Sequence, residues 1–98
     1  MTRDEAIGRL NEQAAALKAL GATSLFLYGS LSRDAATAAS DLDIFIDYDI
    51  ASRFNAFDLV GIKLLLEERL KVPVDVTTRD GLHPMLRNSI ERTAIRIF

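Results

Sequence analysis

Asp41-Leu42-Asp43-Ile44-Phe45-Ile46-Asp47 puts an apolar residue at every second position, and an extended strand sorts such a run onto two faces. Leu42, Ile44 and Ile46 share one face; Asp41, Asp43, Phe45 and Asp47 share the other. Any fold of this chain has to bury the first set and leave a pair of carboxylates projecting side by side.

The flanking segments supply helices and further strands. Thr2 and Glu5 read as a capping box, hydroxyl and carboxylate satisfying each other's backbone N–H groups. Ile7, Leu10, Ala14, Leu17 and Leu20 follow at spacings of three and four, one stripe of a helix that Gly21 stops. Ser24 to Tyr28 is short, apolar and bounded by Gly21 and Gly29, which predicts a buried strand. A short helix is expected from Leu31 to Ala36, then a small polar loop over 37–40. Asn55 to Leu70 predicts a long helix with Phe57, Val60, Leu64 and Leu65 inward and Glu67, Glu68 and Arg69 outward. Val72-Pro73 ends it, because the residue before proline leaves the helical region. Val74 to Thr78 alternates as a third strand, with Asp75 opposite Val74 and Val76. Arg79-Asp80-Gly81 is a turn, Pro84 opens a short helix to about Arg92, and Ala94 to Phe98 is a terminal strand or docked tail. The order predicts an α/β (α+β) layer, a small mixed β-sheet flanked by helices, as one domain over residues 1–98.

Size and charge narrow the function. A chain of 98 residues has a thin core, so a deep pocket made by one copy is not expected. Its net charge of −2 argues against binding nucleic acid through a generic basic face, yet permits a nucleotide held through metal ions. Without cysteine there are no disulfides and no thiolate metal sites. No apolar run reaches membrane-spanning length, and Thr2-Arg3-Asp4-Glu5 begins no signal peptide, so a soluble cytoplasmic protein is expected.

The segment with chemistry in it is Gly29-Ser30-Leu31-Ser32-Arg33, six residues, then Ser40-Asp41-Leu42-Asp43. A glycine between strand and helix lets backbone approach a ligand, and a helix start offers free N–H groups to phosphate oxygens. Ser30 adds a hydroxyl there. Like charges placed together, as at Asp41 and Asp43, are unfavourable unless something positive lies between them. A divalent ion preferring hard oxygen ligands, Mg²⁺ or Mn²⁺, answers that, with phosphates supplying the remaining ligands.

This pattern resembles the motif of the DNA polymerase β-like nucleotidyltransferase superfamily, and in length and flanking sequence its minimal, MNT-type branch. The resemblance covers nearly the whole chain: Val74-Asp75-Val76 is similar to the strand carrying the family's third carboxylate, and Leu82-His83-Pro84 with Arg87, Ile90 and Glu91 to the tail of MNT antitoxins. It implies that Asp41 and Asp43 hold two Mg²⁺ ions, that Asp75 ligates the catalytic ion and helps deprotonate the attacking hydroxyl, and that Gly29, Ser30, Arg33 and Ser40 bind the nucleotide. It further implies transfer of an NMP, AMP from ATP, to a tyrosine of a HEPN-type toxin, the chain acting as antitoxin. A catalytically silent domain that neutralises its toxin by contact is the alternative. A small-molecule (antibiotic) nucleotidyltransferase is another, though such relatives carry a further helical domain. One position departs from the pattern: Asp34 stands where glycine is usual, and its carboxylate either weakens triphosphate binding or caps the turn.

Plainer roles are expected elsewhere. Arg33 holds a phosphate or pairs with Asp34 or Asp41. Asp47 and Asp49 read as solvated strand-end charges, His83 as the residue leading into a helix, and Arg87, Arg92 and Arg96 as a solvated face. Tyr28, Phe54 and Phe57 are expected in or beside the core. The thin core and apolar long helix imply that some surface is covered by a partner, a second copy or another chain.

Overall fold

β2 (Leu42–Tyr48) is paired on both sides, antiparallel to β1 (Ala22–Tyr28) and parallel to β3 (Val74–Thr78). β4 (Ile95–Arg96) adds to the far side of β1, so the sheet order is β3-β2-β1-β4. This computed structural model describes residues 1–29 and 41–98, with α1 (Arg3–Glu12) and α2 (Ala14–Ala19) before β1, α3 (Ala56–Leu70) between β2 and β3, and α4 (Arg87–Thr93) before β4. The result is the expected mixed sheet with helices. The helix expected over Leu31–Ala36 lies outside the described residues. Parallel neighbours need a long crossover, and α3 is that crossover. Among the described residues no helix is long and apolar enough to cross a membrane.

The alternation in β2 plays out as its spacing requires. Leu42, Ile44 and Ile46 are buried with Leu25, Leu27 and Val74 beneath Ala6, Leu10, Leu17, Ile62, Leu66 and Leu70 of the helices. Each of the leucine, isoleucine and valine side chains contributes about 1.5–3 kcal/mol by leaving water. The N-terminal helix is two helices, interrupted at Gln13, and Ala6 rather than Ile7 is fully buried while Leu20 is half exposed. Only half of its capping box forms: the Thr2 hydroxyl accepts from the Glu5 N–H and donates to the Glu5 carboxylate. Gly21 ends α2 at φ 114°, and a Cβ there would stand 2.6 Å from the Phe54 ring, which stacks on Tyr48.

α3 corrects the expectation most. It starts where expected, and Asn55 and Asp58 form a complete capping box. Its inward face, however, is Ile62, Leu66 and Leu70, with Leu59 and Leu65 partly buried. Phe57, Val60 and Leu64 point to solvent. The helix is apolar on two opposite sides, so periodicity gives two equal phases and contact with the sheet selects one. Its end is set by Lys71 in the left-handed conformation, φ 61°, one residue before Val72-Pro73. Pro84 opens only a turn closed by Leu86 N–H on the His83 carbonyl, and α4 starts at Arg87. His83 Nδ1 accepts from Met85 N–H within that turn.

Candidate functional site

The face of the sheet turned away from α3 carries the polar set. Register places Tyr28 beside Asp43, and Asp43 beside Asp75 on the neighbouring parallel strand. Asp41 is exposed just before β2. The carboxylates meet pairwise around Asp43: burial raises its pKa above the ordinary value, and the charges of Asp75 and Asp41 raise it further. Tyr28 belongs to the same cluster, its phenol pushed up by burial and then by Asp43 and Asp75. Among the described residues no three Asp, Glu, His or Cys side chains close around one point as a metal-ligand set. The three carboxylates thus gather about Asp43 without closing into such a set among the described residues.

Gly29 ends β1 at φ 78°, a conformation costly for any residue with a Cβ. A Cβ there would stand 3.2 Å from Asp43 Cγ and closer still to Oδ2, so the missing side chain is the room the carboxylate occupies. Gly29→Ala is therefore expected to cost about 1–3 kcal/mol in urea unfolding. Asp43→Ala in the same chain should restore the steric part and not the backbone part. Full additivity of the two changes would refute the contact. Ser30, Arg33, Asp34 and Ser40 lie outside the described residues.

Two supports hold this face, and sequence reasoning missed both. Arg79 donates from Nε and Nη2 to both Asp47 oxygens at 2.8 and 2.9 Å, and its Nη1 lies 3.4 Å from Glu91. The guanidinium covers the rings of Phe26 and Phe45, which stack with centroids 4.7 Å apart. Asp47 is accordingly no solvated strand-end charge: its hydrogen bonds to Arg79 hold its pKa below the ordinary value. Asp49 instead accepts from Ala51 N–H in the following turn. Nor are two of the three arginines a free solvated face, since Arg87 pairs with Glu91 and Arg96 lies over Phe26. The second support is on β3. Glu67 accepts from Val74 N–H and from Lys63, while Lys63 donates to the Val74 carbonyl at 2.6 Å, fastening the strand next to Asp75.

Beside the carboxylates, Tyr28, Gly29, Leu86, Ser89, Ile90 and Thr93 line a cleft of about 240 Å³.

Against known proteins, residues 10–97 match the nucleotidyltransferase domain family. A Methanocaldococcus jannaschii protein named "Putative protein adenylyltransferase" is 34% identical over 71 residues, 72% of this chain and 74% of that protein. A solved "putative minimal nucleotidyltransferase" superposes with a TM-score of 0.82 at 30% identity, covering 97% of this chain and 95% of that one. A toxin-antitoxin structure with AMP-PNP shares the fold, with a TM-score of 0.71 at 16% identity over 90% of this chain and 72% of that one. With the family model matched over residues 10–97 and the fold reproduced over nearly every residue, the chain belongs to the nucleotidyltransferase domain family and is a nucleotidyltransferase.

Proposed function

We propose that this chain, as one domain, is a minimal protein adenylyltransferase of the cytoplasm that transfers AMP from ATP to a hydroxyl of a partner protein, in the manner of an antitoxin modifying its toxin. The observation that carries the reading is the pairing of Asp43 with Asp75 in register across parallel strands, with Gly29 packed directly against the Asp43 carboxylate. The relatives named protein adenylyltransferases support the acceptor class, and the AMP-PNP-bound toxin-antitoxin neighbour supports ATP and a toxin. A tyrosine of a HEPN-type toxin is the acceptor the family resemblance favours.

The donor set fits Mg²⁺. Hard carboxylate oxygens whose charges crowd one another suit an ion that uses one or two carboxylates and takes the rest of its shell from substrate phosphates. Asp41, Asp43 and Asp75 would hold it, two ions per site being the family's number. When bound, Mg²⁺ supplies charge neutralisation at the phosphates and at the attacking and leaving oxygens. Gly29 and Ser30 hold the β- and γ-phosphates, and Arg33 and Ser40 complete the nucleotide contacts. Asp75 takes the proton of the acceptor hydroxyl as its oxygen attacks the α-phosphorus in line. The bond between the α-phosphorus and the bridging oxygen breaks, and pyrophosphate leaves.

The test is incubation with ATP labelled in the α-phosphate, Mg²⁺ and the protein encoded by the neighbouring gene. Label is expected on that protein and absent when the metal is chelated. Tight complex formation with no label would instead favour the silent-binder alternative.

A further inference from the structure

α4 supplies one wall of the cleft beside Gly29, yet none of its side chains enters the core. Leu86 at its N-cap and Ser89, Ile90 and Thr93 within it follow at spacings of three and four, so they share the face turned to the cleft. No residue of α4 is buried, and the core cluster takes nothing from it. A helix of seven residues does not hold itself together in water. Its two ends are fixed by the chain on either side, where Leu82 is buried before it and Ile95 pairs with Leu27 of β1 after it. Between those ends its ties are ionic. Arg87 Nη2 lies 3.9 Å from the exposed Asp80 in the turn after β3, and Glu91 Oε2 lies 3.4 Å from Arg79 Nη1. Arg87 Nε donates to the other Glu91 oxygen at 2.6 Å and so orients that carboxylate.

Arg79 bridges the two walls without lining the cleft itself. Its Nε and Nη2 are taken by Asp47 of β2, which leaves Nη1 to face Glu91 of α4. The same guanidinium lies on Phe45, and the Phe45 ring meets Tyr28 of the opposite wall. One planar group can do this because its three nitrogens point in three fixed directions while its face rests on a ring. The ammonium of lysine has the charge without that geometry.

We propose that Arg79 is a positioning residue for adenylyl transfer: pinned to Asp47 and Phe45, it holds Glu91 and so sets how far α4 stands from Tyr28 beside the carboxylates. The proposal rests on the adenylyl-transfer reading above and adds what keeps the reactants in place. Neither lysine nor arginine lines the cleft, so it offers a triphosphate no counter-charge. Tyr28, Leu86 and Ile90 suit an uncharged ring instead, that of the nucleobase or of a tyrosine acceptor. A reactant misplaced by ~1 Å reacts about 10²-fold more slowly, so a loosened wall shows in the rate before it shows in the fold.

The experiment pairs steady-state transfer from α-labelled ATP to the protein encoded by the neighbouring gene with amide exchange on the same variants. Arg79→Lys keeps the charge and loses the fork, while Glu91→Gln keeps the shape and leaves the Asp47 pair intact. Each should lower kcat/KM for transfer about tenfold or more. The double variant should fall within about twofold of the slower single one, because both break the same link. In Glu91→Gln the amides of Ile90 and Ala94, which bond within α4, should exchange about tenfold faster while Ile44 in the middle of the sheet is unchanged. Arg92→Gln, exposed on α4 and in no ion pair among the described residues, should transfer like the parent. A rise confined to the KM for ATP puts the nucleobase against α4, and one confined to the KM for the acceptor puts the acceptor ring there. Parent kinetics in both variants, or α4 amides that exchange no faster, overturn the proposal and leave adenylyl transfer standing. Slower transfer with faster exchange at Ile44 as well would mean that Arg79 serves the fold alone, and overturns it too. A parent chain that labels no acceptor overturns the adenylyl-transfer reading, and this proposal with it.

Discussion

Asp43→Asn is expected to lower nucleotide transfer by about 10³-fold or more while leaving the fold at least as stable as before. The two halves have one cause. Asp43 is the carboxylate that both others crowd, and its raised pKa means that the folded chain holds that proton more tightly than the unfolded chain. A raised carboxylate pKa favours folding below the unfolded value, and the benefit is lost as pH rises through the folded value. Above that range the charge on Asp43 opposes folding, and asparagine removes the opposition. The same substitution removes the negative oxygens that a divalent ion and a triphosphate require. Strain kept at a site for the sake of its ligand leaves this pattern of lost rate without lost stability. Transfer at the parent rate in α-labelled ATP assays would sink the site assignment. A drop in the thermal midpoint of several degrees would mean that Asp43 serves the fold instead.

Phe45→Ala carries the largest expected stability effect, about 3–5 kcal/mol, much of what holds a domain of this size together. Phe45 is fully buried although it shares its face with the carboxylates. It stacks on Phe26, meets Tyr28 with ring centroids 5.8 Å apart, and lies beneath the Arg79 guanidinium. Its loss would open a cavity that Arg79, fixed by Asp47 and Glu91, cannot collapse into. Phe57→Ala is the matched control: 87% exposed, it should change urea unfolding of the dilute chain by no more than about 0.5 kcal/mol. Equal effects from the two substitutions would contradict the orientation of α3 and the roofing of β2 together.

These two phenylalanines mark where sequence was informative. Strand spacing is short-range and binary, so β1, β2 and β3 were legible, and with them the placing of Asp43 and Asp75 on one face. The family motif made Gly29 legible too. The reason it must be glycine, the Asp43 carboxylate beside it, needed coordinates. Phe57 was misplaced because α3 offers two apolar sides and only the sheet beneath selects between them. Asp47 was misread because Arg79, which pairs with it and covers Phe45, lies far along the chain. The break at Gln13 had no Gly or Pro to announce it. A local pattern shows which face a residue occupies; what later comes to rest on that face is a matter of tertiary structure.

The fastening of β3 has a consequence for how this molecule fails. β3 is an edge strand, and at Val74 both outward backbone groups are satisfied by side chains rather than by another strand. At that residue the edge is closed to strand addition by a neighbouring chain, a common start of aggregation. It is closed by an ionised Glu67, however, whose pKa its bonds to Val74 and Lys63 hold below the ordinary value. That support is present above the unfolded pKa and is lost as pH falls through the folded one. Acid should therefore fray this margin of the sheet while Ile44 in the middle stays protected from amide exchange, and Asp75 would leave its place beside Asp43 before the molecule as a whole unfolds.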